Sequence, residues 1–444
     1  MFWVMLVGVL LFTEMIWSWY KDSMIVSQNI IKVMLDIGNK AKRASRTLAN
    51  VSASQKNYAL ISAAEMLREK VKSILGENSQ DLIAARKKGL SPAMQDRLKL
   101  DNIRVEAIAT SLEEIAKLPD PVGRTLANWQ RPNGLDISRK SVPLGVIGVI
   151  FESRPNVTAD AGALCLKASN ASILRCGSDS FLSSNAIFDC LKGGLKKAGL
   201  PEDAIQFVPS TDREAVGQML KMSDTIDIII PRGGRSLVDR VKRESRIPIF
   251  AHLEGICHLY IDVEADPRKA LDLVLNSKLR RTGICGACET LLIDKAAIKI
   301  APTLLNNLIK NGCEIRGDKE LCAMDKRVIE ANVADWDTEY LAAILSVKFV
   351  NGVQGAIDHI QNHSSGHTDS IVTENITTAE IFLNNVDSAI VMHNTSTQFA
   401  DGNEFGMGAE IGISTGRIHA RGPVGLEQLT IFKYIVRGNG QTRP

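Results

Sequence analysis

The sequence predicts an α/β protein with two doubly wound parallel-sheet domains and a small β arm. Three observations carry that expectation. Apolar runs alternate with amphipathic helical stretches from Pro143 to His252 and again from Ala301 to Met392. Such alternation builds parallel strands covered by helices on both faces. Strand ends in the first stretch are rich in Arg, Gly, Ser and Asp, where ligands bind in open α/β sheets. Two polar ribbons, 125–143 and 429–437, bracket this body and read either as arms that pair with another subunit or as ordinary edge strands.

The elements run in order from the N-terminus. Phe2 to Phe12 is apolar, Glu14 interrupts, and Met15 to Tyr20 is rich in tryptophan. A spanning helix needs about 20 apolar residues, and this run reaches that length only by burying Glu14. It also lacks the positive leader and cleavage site of a secretory signal. Met24 is therefore the expected start of the fold, with 1–23 an extension outside it. Helical periodicity begins at Ile31, Met34, Leu35 and Ile37, and recurs from Tyr58 to Ile74. Ser79 or Asp81 is expected to start a short helix ending near Gly89, and Asp101 to cap one that runs to Leu118. Pro119 and Pro121 break the helical pattern beyond Leu118.

Strands are predicted at Gly145–Phe151, Ala171–Leu174, Ile205–Val208, Ile226–Ile230 and Pro248–His252. Helices are predicted at Thr158–Lys167, Ser180–Ala198, Arg213–Met222 and Ser236–Glu244. Three strand ends are polar: Glu152-Ser153-Arg154-Pro155-Asn156, Arg175-Cys176-Gly177-Ser178-Asp179 and Pro231-Arg232-Gly233-Gly234-Arg235. A glycine pair between strand and helix lets backbone N–H groups meet phosphate oxygens, and arginines suit phosphate. There is no G-x-G-x-x-G, and a plain tight turn explains Gly233-Gly234 equally well alone. The three ends together point to a nucleotide. The second alternating stretch is expected to form a second sheet, with the active site in the cleft between the two.

The chain has 444 residues, 45% hydrophobic and 23% charged, with net charge +3. That charge is too small for a nucleic-acid surface. The eight cysteines are scattered, which fits a reducing compartment and a cytoplasmic protein. One of them stands out, in Arg280-Arg281-Thr-Gly283-Ile-Cys285-Gly286-Ala-Cys288. Small residues give Cys285 little steric cover, and a nearby cation favours the nucleophilic thiolate. The bland readings are a core cysteine or a C-x-x-C redox or metal pair. The metal reading is weak, because no second pair exists; His359 and His363, spaced i, i+4, read as an exposed helical face. No metal is expected.

Long motifs settle the balance. They include Phe151-Glu-Ser-Arg-Pro-Asn-Val-Thr-Ala-Asp160, His252-Leu-Glu-Gly-Ile-Cys-His258, Thr282-Gly-Ile-Cys285, Ser365-Gly-His-Thr-Asp369 and Glu404-Phe-Gly-Met-Gly-Ala-Glu-Ile-Gly-Ile-Ser414. With these, the chain from about Val26 resembles the gamma-glutamyl phosphate reductase family, the proline-biosynthetic branch of the aldehyde dehydrogenase superfamily. The resemblance implies an aldehyde dehydrogenase-like fold. It implies an NADP-binding Rossmann-like domain at 24–124 and 144–254, a catalytic domain at 255–428, and an oligomerisation arm at 125–143 and 429–444. It implies reduction of L-glutamate 5-phosphate by NADPH through a thioester on Cys285, with Asn156 as oxyanion donor. Arg175, Ser178, Gly233, Gly234 and Glu339 are then expected on the cofactor, and Ser153 and Arg154 on the acyl phosphate. A homo-oligomer is implied, with room for association with glutamate 5-kinase, and without a nucleic-acid or stable membrane partner. The family's aldehyde-oxidising relatives carry Glu-Leu-Gly-Gly-Lys where this chain has Leu253-Glu254-Gly255-Ile256, so Glu254 receives no role. Cys288 is not required by the pattern. An NAD-dependent semialdehyde dehydrogenase and a Cys285–Cys288 redox sensor remain the competing readings.

Overall fold

A computed structural model describes residues 29–443 of the chain; the apolar run at 2–20 and the expected start at Met24 lie outside the described residues. The described residues form two compact units. One comprises those up to Ile249 and those from Leu429 onward, the other Phe250–Gln428.

The first unit opens with helices α1 (29–48), α2 (Ala53–Glu69), α3 (Val71–Lys87), α4 (Pro92–Leu98) and α5 (Asn102–Lys117). Side-chain oxygens of Ser52, Ser91 and Asp101 accept the orphan N–H groups at the starts of α2, α4 and α5. Asp81 departs from the expectation. It lies inside α3, is 4% exposed, and caps no helix of its own. Its carboxylate accepts from the Ser183 backbone N–H at 2.8 Å and the Ser183 hydroxyl at 2.6 Å. It thus closes the N-terminus of a helix a hundred residues further on. Burial raises its pKa, and the Ser183 bonds oppose the rise.

Strands β1 (Thr125–Gln130) and β2 (Asp136–Pro143) form a hairpin. Then come β3 (Val146–Phe151), α6 (Asn156–Lys167), β4 (Ala171–Cys176), α7 (Phe181–Lys197), β5 (Ile205–Phe207), α8 (Arg213–Met219), β6 (Ile228–Arg232) and α9 (Arg235–Glu244). The strands make a parallel sheet in the order β5-β4-β3-β6. Every residue of β3 and β4 is buried, as a strand covered on both faces requires. The expected strand at Pro248–His252 does not form. Ile249 makes a single bridge with Ile229, and Pro248 has no N–H to offer a ladder. The two polar ribbons pair with each other: the terminal strand Thr430–Arg437 runs antiparallel along β2 from Thr430 opposite Pro143 to Arg437 opposite Asp136.

The second unit contains β7 (Cys257–Ile261), α10 (Pro267–Leu279), β8 (Cys288–Asp294), α11 (Ala301–Lys310), β9 (Glu314–Gly317), α12 (Lys319–Met324) and β10 (Ile329–Glu330). It continues with β11 (Ile344–Val350), α13 (Gly352–His363), β12 (Thr368–Val372), α14 (Ile376–Asn385) and β13 (Ile390–His393). Seven parallel strands lie in the order β10-β9-β11-β8-β7-β12-β13. Two short strands, β14 (Ile413–Ser414) and β15 (Gly422–Pro423), pair antiparallel. The central β7, β8 and β12 are buried throughout. His359, expected on an exposed face, is 5% exposed and packs against the rings of Trp336 and His258. Among the described residues no helix is long and apolar enough to cross a membrane.

Asp81→Ala leaves the start of α7 without its acceptor and a buried hydroxyl without its partner. It should cost about 1–3 kcal/mol, read as a lower urea midpoint at unchanged slope. Ser79→Ala should change the midpoint little, because Ser79 starts no helix.

Candidate active site

Cys285 sits on the turn between α10 and β8 in the second unit. Asp266 accepts the Arg268 and Lys269 backbone N–H groups, and Pro267 takes the first helical position, which fixes where α10 begins. After Leu279 the chain turns, and the Ala287 N–H donates to the Ile284 carbonyl at 3.0 Å. Gln398 clamps this turn. Its amide donates to the carbonyls of Ser277 at 2.8 Å and Arg281 at 3.4 Å, and its side-chain oxygen accepts from Arg280 Nε at 2.9 Å. Both arginines are exposed, and the Arg280 guanidinium is engaged by Gln398.

The backbone of Gly255 lies directly on the turn. A Cβ there would fall 2.0 Å from the Cys285 carbonyl oxygen and 2.7 Å from its Cα. Two bonds hold the approach: the Gly255 N–H donates to Glu339 Oε1 at 2.9 Å, and the Cys257 thiol to the Cys285 carbonyl at 3.1 Å. Burial raises the pKa of the Glu339 carboxyl, against the Gly255 bond. Of the eight cysteines, only Cys285 and Cys322 are part-exposed. Cys288 is 2% exposed within the hydrophobic core, and burial pushes its thiol up to about 12. Cys257 is buried and its thiol is raised further.

Two residues without an assigned role stand beside Cys285. One atom from each of His252 and His367 lies within 4.8 Å of the Cys285 sulfur and of the other, and their rings meet edge-on at 5.2 Å. The motifs containing them are visible in the sequence. The proximity is not, because one lies on either side of Cys285 at no regular spacing.

The other expected site residues lie in the first unit, at the carboxyl ends of adjacent strands. Glu152 joins two of the ends: its carboxylate accepts the Gly234 N–H at 3.1 Å, and its own N–H donates to the Arg232 carbonyl at 3.1 Å. Ser153 is buried with φ +49°, an uncommon conformation for a residue with a side chain, and its hydroxyl donates to Asp179. Arg154 is half-buried beside it. Asn156 is exposed at the start of α6, with one amide hydrogen donated to Asp160 at 2.9 Å. Arg175 is 6% exposed on β4 and donates to the carbonyls of Thr211 at 2.9 Å and Asp212 at 3.2 Å. Ser178 is exposed, 3.5 Å from Lys88 Nζ. Gly233 and Gly234 lead into α9; the N-cap residue Gly234 has no side chain of its own, the Glu152 carboxylate takes its N–H, and open space lies where a Cβ would stand.

Two parallel sheets and a part-exposed cysteine on a pinned turn fit the aldehyde dehydrogenase class, and residues 33–315 match the Aldehyde dehydrogenase family. A gamma-glutamyl phosphate reductase of Rhodospirillum rubrum is 61% identical over 95% of this chain and 99% of its own length. One of Paramagnetospirillum magneticum is 60% identical over 95% and 100%. The crystal structure of the Thermotoga maritima gamma-glutamyl phosphate reductase superposes with a TM-score of 0.91 at 40% identity, covering 93% of this chain and all of that one. This chain belongs to the gamma-glutamyl phosphate reductase family of aldehyde dehydrogenases.

The close approach at Gly255 makes a specific demand. Gly255→Ala should destabilise the protein by about 1–3 kcal/mol, because the new methyl has only backbone to displace. It should also change the rate at which iodoacetamide alkylates Cys285. Gly234→Ala, with open space around it, should stay within about 0.5 kcal/mol of the parent. Urea melts and peptide mapping read both; equal tolerance at the two positions overturns the argument.

Proposed function

We propose that this protein reduces L-glutamate 5-phosphate to L-glutamate 5-semialdehyde, releasing phosphate, with NADPH as reductant and Cys285 as nucleophile. The observation that carries the reading is the 61% identity to a protein named gamma-glutamyl phosphate reductase across 95% of the chain. A part-exposed cysteine on a pinned turn supplies the chemistry.

In this reading the Cys285 thiolate attacks the acyl carbon and phosphate leaves, which gives a thioester. Asn156 has two amide hydrogens. One is held by Asp160, and the other is the proposed donor to the oxyanion. Bound NADPH supplies the hydride. Collapse of the tetrahedral adduct returns the electron pair to Cys285 and frees the aldehyde. The cofactor fit rests on the first unit, where α9 begins with a glycine pair and open space lies over Gly234, an approach suited to a pyrophosphate once the Glu152 carboxylate releases the Gly234 N–H. Arg175 and Ser178 at the end of β4 are read as meeting the adenosine end, Glu339 as holding the nicotinamide ribose, and Ser153 and Arg154 as binding the acyl phosphate. The same reading takes the enzyme as a cytoplasmic homo-oligomer. β1 and the terminal strand end the three-stranded sheet, and among the described residues each keeps one unpaired edge, which suits a second subunit.

The product cyclises to pyrroline-5-carboxylate, so the reverse direction gives the test. Pyrroline-5-carboxylate with NADP⁺ should yield NADPH only when phosphate is present. Cys285→Ser should abolish the rate, and Cys288→Ser should keep most of it, since that thiol is buried and neutral. Equal turnover without phosphate selects a semialdehyde dehydrogenase instead. A dead Cys288→Ser enzyme with a 285–288 disulfide in the parent selects the redox sensor.

A preference for NADPH is the second expectation. A charge-assisted contact to a 2′-phosphate is worth roughly 1.5–3 kcal/mol, so Arg175→Ala should raise KM for NADPH far more than for NADH. Arg175 already ties β4 to the 211–212 backbone, and an equal rise for both cofactors would assign it to that tie alone.

A further inference from the structure

The proposed reaction uses neither of the imidazoles beside Cys285. His252 Nδ1 lies 2.8 Å from the Ile413 carbonyl oxygen, an acceptor only, so this nitrogen carries a proton and Nε2 is the nitrogen left to bind a ligand. Metal-binding histidines are oriented in just this way, by a backbone carbonyl on the far nitrogen. His367 is wholly buried. Its Nδ1 is bonded to the Thr368 hydroxyl at 2.9 Å. Its Nε2 is buried with no hydrogen-bond partner. Buried polar atoms are nearly always paired, so this nitrogen points to a ligand that completes it.

We propose that His252, Cys285 and His367 form a binding site for one thiophilic divalent cation of the zinc class, and that the bound cation reversibly masks the Cys285 sulfur. The donor set decides the class. One thiolate and two imidazoles suit zinc and its neighbours, whereas magnesium and calcium take oxygen ligands. A tetrahedral zinc holds nitrogen and sulfur donors about 3.3–3.6 Å apart. The three donor atoms already lie within 4.8 Å of one another, and rotation of the part-exposed Cys285 side chain can close the remainder while Ile413 holds His252 in place. As the sulfur–metal bond forms, the Cys285 thiol loses its proton to solvent and the cation keeps its oxidation state. Water fills the fourth position. The electron pair given to the cation is the pair that would attack an acyl carbon. The masking rests on the nucleophile role proposed above; the binding does not.

The test uses full-length, metal-free protein and Co²⁺ as the probe, without substrate. Titration should raise a thiolate-to-cobalt absorption band that saturates at one cation per chain and collapses on adding Zn²⁺. Cys285→Ser should lose the band. His252→Gln and His367→Gln should each weaken binding by at least about tenfold. Cys257→Ser should keep the band, since that thiol is buried, raised in pKa and hydrogen-bonded to the Cys285 carbonyl. Zn²⁺ should slow iodoacetamide labelling of Cys285, and EDTA should restore it. No band at millimolar Co²⁺, or a band indifferent to both histidine variants, overturns the proposal. If His367→Gln fails to fold, the half-exposed His252→Gln decides alone. A band that tracks the three residues in a protein without phosphate-dependent reductase activity keeps the metal site and removes the proposed reaction. Reductase activity without cobalt binding does the reverse.

Discussion

The geometry around Cys285 depends on an ion pair buried between α10 and β8. Lys278 Nζ meets Glu289 at 2.5 Å, and neither side chain has any exposed surface. Lys278 lies in the last turn of α10 and Glu289 is the second residue of β8, so the pair spans the Cys285 turn from both sides. The other Glu289 oxygen accepts the Leu341 N–H at 3.3 Å. Leu341 stands two residues from Glu339, which receives the Gly255 N–H. Four segments of the second unit are thus tied into one frame around the Cys285 backbone. Burial pushes the Glu289 carboxyl up to about 7, and Lys278 opposes the rise. Removing one partner of such a pair costs about 3–5 kcal/mol, while replacing both with apolar residues is often neutral. What the pair contributes is therefore better read as register than as net stability.

The sheets are legible in the sequence because a strand buried on both faces must be continuously apolar. Gly145–Phe151 announces itself in that way, and β3 forms there. Caps are less legible, because a carboxylate does not say which helix it closes. Asp81 reads as the start of a local helix, yet it serves α7, since α3 and α7 pack against each other. His359 misleads in the same manner: its spacing from His363 describes one helix, and its burial is decided by Trp336 and His258 from elsewhere in the unit. Strand β7 escapes a sequence reading although it is buried throughout, because His258 interrupts its apolar run near the start.

At the candidate site the split lies along the same line. Cys285 is legible because its flanking glycines are local. Gly283 and Gly286 mark a turn, and Gly286 does run close to a backbone, 3.1 Å from the Thr397 carbonyl by a placed Cβ. The tighter contact belongs to Gly255, which no local pattern distinguishes from an ordinary loop glycine. In the first unit the polar strand ends are visible as a set, but their mutual bracing is not. Ser153 takes a left-handed conformation and bonds Asp179, while Glu152 reaches Gly234 across β3 and β6. Uncommon backbone conformations persist where the surroundings over-determine them. These bonds are made within the protein itself, so the edge is ordered before any ligand arrives.

The side chains beside Cys285 include two that local sequence does not suggest. Arg280 and Arg281 precede the cysteine closely, and proximity in sequence invites a cation near the sulfur. In the structure both are exposed, and Gln398 engages the Arg280 guanidinium and the Arg281 carbonyl. The groups gathered within 4.8 Å of the sulfur are two imidazoles. The carbonyl on His252 fixes its tautomer, and burial holds His367 neutral near pH 7. A neutral imidazole with a fixed proton gives a lone pair more readily than a charge. Together with the sulfur, two such neighbours make up the donors of a soft-metal site. The folded chain places them there, from β12 and from the segment before β7, and their distances along the chain could not disclose it.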